Sequence, residues 1–133
     1  MIERFEPLGG VEGAAWQLAH GLAETGDEVH VVARRATETS AVTPHRVAVP
    51  AAWQPARVVA FSRRAAAAAP RGAFDVVHSF SRTRHQDVYS ADGGSHAAYM
   101  ERQYRGVGRA LRGVSPRHVT LLAIERRVFA DAS

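Results

Sequence analysis

A chain of 133 residues is long enough for one domain with a buried core and too short for two Rossmann-like halves with a ligand crevice between them. Without cysteine it forms neither a disulfide nor a thiolate metal site, and its longest apolar run, the alanines at 65–69, falls far short of the roughly 20 residues that cross a bilayer. The net charge is +4 with a pI near 10.6, yet every basic residue is arginine, lysine and asparagine are absent and alanine is abundant. GC-rich coding produces that pattern without any ligand, and no aromatic-basic module accompanies it, so no nucleic-acid partner is expected. No signal-peptide pattern opens the chain, and the expected location is cytoplasmic.

Residues 1–6 read as the tail of a first strand, with Ile2 and Phe5 apolar, and that strand is expected to begin upstream. Glu6-Pro7-Leu8-Gly9-Gly10-Val11-Glu12 follows, in which adjacent glycines permit a tight bend and a close approach of ligand to backbone amides. An amphipathic helix over 14–25 comes next, and Val11, Ala15, Leu18, Ala19 and Leu22 are expected to form one buried stripe, with Gln17, Glu24 and Thr25 opposite. Gly26 supplies a left-handed stop, and residues 28–33 read as an apolar strand. Strand, glycine bend, helix, glycine stop and strand make a βαβ unit, whose helix points its positive end at whatever anion lies over the bend.

Residues 34–44 are polar and read as a loop, followed by a short strand over 46–50 closed by Pro50. Trp53 in the connection is expected to pack. A helix over 55–69 starts at Pro55, sets Val58, Phe61 and Ala65 on one face and Arg57 and Arg64 on another, and stops at Pro70-Arg71-Gly72. Phe74-Asp75-Val76-Val77-His78-Ser79-Phe80 resembles a buried parallel strand. The polar stretch over 81–95 holds a brief strand, Val88-Tyr89-Ser90, and a second double glycine; in an open α/β sheet it is a natural ligand surface. Residues 96–104 read as helical; Arg102, Arg105, Arg109 and Arg112 follow at spacings of three and four, but Gly106, Gly108 and Gly113 break that helix, so a solvated charged face is expected ahead of a basic stripe for an anionic membrane surface, and Ser115-Pro116 opens a last helix carrying Val119, Leu122, Val128 and Phe129 inward.

Four sites follow from these residues. Gly9 and Gly10 with the helix start suit a diphosphate, because several amide donors and the helix dipole converge there. Asp92, on a tight turn near a strand end, suits a general base or an orienter of a hydroxyl, and equally an ordinary Asp-Gly turn. His78 could exchange a hydrogen bond with a hydroxyl or serve as a partly buried histidine. His85, Asp87, Asp92 and His96 match no metal-ligand spacing, so no metal is expected. There is no Gly-x-Ser-x-Gly elbow, no P-loop, and Gly9-Gly10-Val11-Glu12-Gly13 has the wrong spacing for a dinucleotide fingerprint.

Three patches resemble the N-terminal half of a family 4 (group 1) glycosyltransferase with the GT-B architecture. They are residues 2–12 running into 18–32, then Phe74-Asp75-Val76-Val77-His78-Ser79, and Asp87-Val88-Tyr89-Ser90-Ala91-Asp92, the last similar to the branch that adds sugar to the lipopolysaccharide core. The resemblance implies an α/β, Rossmann-like, three-layer parallel sheet. It also implies transfer of a sugar from a nucleotide-sugar to the hydroxyl of a glycan or glycolipid acceptor, with retention and no cofactor. Gly9 and Gly10 would face the donor diphosphate and Asp92 would sit by the acceptor hydroxyl; His78 and, on the polar 81–95 surface, Arg82 and Arg84 are further candidates for sugar or acceptor contacts. Many family members read Asp-x-x-His-x-His after this strand, and the second histidine is here Phe80.

The family's donor-binding half would follow the last helix. The chain, read as one domain over 1–133, is therefore expected to be inactive alone, as an isolated domain, a truncated reading frame or one subunit of a split enzyme. Two other classes remain open from the residues: a non-catalytic α/β module for a small anion or flavin, and a basic adaptor whose arginine stripe meets an anionic membrane surface.

Overall fold

The computed structural model describes residues 1–49, 53–91, 119, 121–123 and 126. Its elements run β1 (Ile2–Phe5), α1 (Val11–Glu24), β2 (His30–Ala36), β3 (Thr43–Arg46), α2 (Gln54–Ala68), β4 (His78–Ser79) and β5 (Val88–Tyr89). β1, β2 and β3 form a parallel sheet in that order, and β4 and β5 a second parallel pair. The two sheets abut. The Met1 amine donates to the His78 carbonyl and the Phe80 N–H donates to the Met1 carbonyl at 2.9 Å, which is the parallel pattern around Ser79. Combined, the strands run β3-β2-β1-β4-β5, the order of a doubly wound nucleotide-binding sheet.

The helices cover opposite faces. Ile2, Phe5, Val31, Ala33 and Val42 pack against Ala15 and Ala19 of α1, while Val32 and Val77 pack against Phe61, Ala65 and Ala69 of α2 and its end. Alternation along β2 produces this division, since Val31 and Ala33 point to one face and Val32 to the other. Phe5 is anchored most firmly, with Trp16 at 4.8 Å between ring centroids and the His20 ring stacked on Trp16 at 4.3 Å.

The α1 stop is a Schellman motif: Gly26 adopts φ 102°, its N–H reaches the Ala23 carbonyl, and the Asp27 N–H reaches the Leu22 carbonyl. The glycine stop is as the sequence reads. The buried stripe is narrower: Ala15 and Ala19 are buried, whereas Leu18 is 39% and Leu22 41% exposed. The small alanines let α1 lie close on the sheet, which turns the leucines outward.

Three strand boundaries and the exposure of two side chains also differ from the sequence reading. β2 continues to Ala36 through residues read as loop, because Arg4 and Phe5 of β1 pair with Arg35 and Ala36. β3 begins at Thr43 and contains Pro44, tolerated because β3 is an edge strand. Only His78 and Ser79 of the expected 74–80 strand join a ladder, and Val76 is 63% exposed. Trp53 caps α2 at its start and is 60% exposed rather than packed, and Val119, expected inward, is 48% exposed.

Candidate functional site

The order β1-β4 marks the place where the chain departs from neighbouring strands in different directions. In such sheets ligands bind beyond the carboxyl ends at that switch point. Two segments leave the carboxyl ends of these neighbouring strands, residues 6–13 after β1 and the loop that begins at Phe80 after β4.

The first segment is built by glycines. Gly10 is the N-cap of α1 with φ 78° and ψ −148°, a conformation only glycine takes without strain, and no side chain caps the helix. A helix start leaves its first N–H groups without intrahelical partners, so this end presents donors and a partial positive charge. Gly9 and Gly10 are both exposed. Gly13 was not singled out by the sequence reading, yet it carries the tightest steric demand: a β-carbon there would lie 2.0 Å from the Leu8 carbonyl oxygen. The bend is thereby folded down onto the first turn of α1.

Charge around this end is mixed. Arg4 pairs with Glu6 at 2.7 Å, and that hydrogen bond, helped by the charges of Glu6 and Glu12, holds the guanidinium above its ordinary pKa. The Glu12 carboxylate occupies the first turn, with Oε2 3.9 Å from where a Gly10 β-carbon would stand. It already offers the helix a negative partner.

The second segment is built on buried hydroxyls. Ser79 and Thr83 are almost wholly buried. Thr83 Oγ1 donates to Gln86 Oε1 at 2.6 Å and lies 3.0 Å from Ser79 Oγ, which donates to the Ser81 carbonyl at 2.7 Å. Ser81 Oγ in turn accepts from the Glu3 N–H at 3.1 Å, tying this loop to β1. Asp87 closes the return: its Oδ2 accepts from the Val77 N–H at 2.7 Å while its own N–H donates to the Val77 carbonyl at 2.8 Å. Two strands too close in sequence for a helical crossover are therefore joined in parallel by a polar-cored loop.

His78 is half-buried, its ring stacked on Phe80 at 4.5 Å and its Nε2 2.8 Å from Ser90 Oγ across β4 and β5. Arg82 is half-buried and Arg84 exposed on the same loop. The topology thus brings Gly9 and Gly10 to one strand end and the 80–91 loop to its neighbour. Asp92, the basic stripe at 102–112 and His96 lie outside the described residues. Among the described residues no three His, Cys, Asp or Glu groups could hold a metal together, and no helix is long and apolar enough to cross a membrane.

Residues 8–132 match the sequence profile of Glycosyltransferase Family 4. Among solved structures, the crystal structure of WaaG, described as a glycosyltransferase involved in lipopolysaccharide biosynthesis, aligns with a TM-score of 0.81 at 20% identity, covering 96% of this chain. The chain spans 35% of the length of that structure. No curated protein sequence matches it significantly. The structural likeness is one of fold, and it identifies the helix-flanked parallel sheet with the N-terminal part of a GT-B glycosyltransferase. With a profile match that takes in nearly its whole length, the chain belongs to glycosyltransferase family 4.

Proposed function

We propose that this domain is the acceptor-side half of a retaining glycosyltransferase that moves a sugar from a nucleotide-sugar to a hydroxyl of lipopolysaccharide or another glycolipid or glycan. The observation that carries this reading is the uncapped start of α1, with Gly10 at φ 78°, at the β1-β4 switch point. In the transfer, the bond from the anomeric carbon to the diphosphate breaks and a bond to the acceptor oxygen forms. Negative charge grows on the departing diphosphate, where amide N–H groups and a helix dipole stabilise it without reorganisation. Asp92 orients the acceptor hydroxyl and assists loss of its proton. His78, Arg82 and Arg84 line the acceptor approach, and the stripe at 102–112 meets the anionic inner face of a membrane. Electrostatic stabilisation by amides requires neither metal nor cofactor.

The donor-binding half contributes the nucleotide contacts, so the domain alone is inactive. Two assays test this. The purified chain shows no sugar transfer from a panel of nucleotide-sugars to glycolipid acceptors. In a two-domain enzyme carrying this half, Asp92→Asn lowers kcat about 100-fold or more with donor affinity unchanged. Transfer by the chain alone, or full activity in Asp92→Asn, would refute the assignment.

A further inference from the structure

At the opposite, amino end of the sheet, two imidazoles face each other across neighbouring strands. His30 opens β2 and His45 lies on β3, and His30 Nδ1 is 2.8 Å from His45 Nε2. The rings lie 5.1 Å apart at 27°, and Phe74 packs on His30 from another side at 5.1 Å. His30 Nε2 meets Glu28 Oε1 at 3.1 Å. A carboxylate takes a hydrogen, so Nε2 of His30 donates to Glu28, and in the neutral ring this leaves Nδ1 with a lone pair toward His45. His45 Nε2–H fills that lone pair in the metal-free protein.

From this geometry we infer that His30 and His45 form a binding site for a first-row transition-metal ion. Two imidazole nitrogens bound to one ion at about 2.0–2.1 Å stand roughly 2.9–3.3 Å apart, so the observed 2.8 Å needs a shift of only a few tenths of an ångström. Glu28 holds His30 in the way an outer carboxylate orients a metal-bound histidine. Binding transfers the shared proton to Nδ1 of His45 and frees Nε2 for the ion. Among the described residues no third His, Cys, Asp or Glu joins the pair, so water completes the coordination and the affinity is micromolar rather than that of a closed structural site. The His30 side chain is 23% exposed, which leaves the approach open. Imidazole donors select Cu2+, then Ni2+ and Zn2+, and disfavour Mg2+ and Ca2+, which require oxygen ligands. An ion here would pin β2 to β3, away from the carboxyl-end site and independently of sugar transfer.

Titration of the tag-free chain with CuCl2 and ZnCl2 by calorimetry tests the inference, with MgCl2 as control. One equivalent binds, Cu2+ more tightly than Zn2+; His45→Ala weakens Cu2+ about 30-fold or more, and Glu28→Gln weakens it roughly 10-fold. Unchanged affinity in His45→Ala, or no binding by the parent chain, overturns it. If the variants fold poorly, substoichiometric Cu2+ is added to the parent chain and paramagnetic broadening is mapped by NMR. Broadening centred on Val31, Val32 and Thr43 supports the site; broadening centred on His20, His78 or His85 overturns it.

Discussion

Gly13 and Leu8 touch backbone to backbone: a β-carbon on Gly13 would stand 2.0 Å from the Leu8 carbonyl oxygen and 3.1 Å from its carbon. Neither atom belongs to a side chain that could swing aside. Gly13→Ala should therefore lower stability by about 1–3 kcal/mol, the usual cost of forcing volume into a filled place. Gly21→Ala, also in α1 and with nothing within 4 Å, should stabilise by about 0.5–1 kcal/mol. Urea unfolding of both variants measures the contrast; equal effects would mean that the bend does not rest on α1.

Thr83 is buried within the loop between β4 and β5 with its hydroxyl against Gln86 and Ser79. Thr83→Val keeps the shape and removes the donor, leaving Gln86 Oε1 short of a partner. A loss of about 1–3 kcal/mol is expected, together with faster amide exchange over residues 80–91. Hydrogen-exchange mass spectrometry would show it, and unchanged exchange would remove Thr83 from the role of holding this loop.

Burial of the Met1 amine beside the His78 carbonyl lowers its pKa from 8.0 to about 6. Between those values the unfolded chain holds a proton that the folded chain releases. This group therefore adds to stability as pH rises from 6 to 8 and withdraws that contribution as pH falls, levelling off below 6. Acetylation keeps an N–H for His78 but removes the charge. Chemical denaturation at pH 5.5, 7 and 8 should thus show a steeper pH dependence for the free amine than for the acetylated chain, and parallel curves would contradict the burial.

The βαβ opening was legible in the sequence because its signals are local: a double glycine, a helical apolar period and a glycine stop each act within a few residues. Val88 and Tyr89 were found for the same reason. What escaped the sequence depended on distant partners. Arg34 to Ala36 look like loop until β1 lies beside them, and Pro44 looks like a strand breaker until β3 is seen to be an edge. Leu18 and Leu22 fit the helical period, yet α1 settles on its alanines, a choice made by how closely a helix can approach a sheet. At the candidate site, Gly9 and Gly10 announced themselves by composition. Gly13 did not, because its need for a bare α-carbon comes from a carbonyl five residues earlier, and Ser79, Thr83 and Gln86 meet only once the loop has closed.

The most direct measurement of the central claim is an NMR titration of the 15N-labelled chain with pyrophosphate and with UDP, following the amides of residues 9–14. Anion binding at the start of α1 should shift Gly9, Gly10, Val11 and Glu12 in a saturable, salt-sensitive manner. Glu12→Gln should strengthen pyrophosphate binding about 2- to 5-fold by removing the competing carboxylate, and Gly10→Ala should weaken it by straining the bend. Saturable shifts confined to another surface, or no difference between Glu12→Gln and the parent chain, would contradict a diphosphate site at the double glycine.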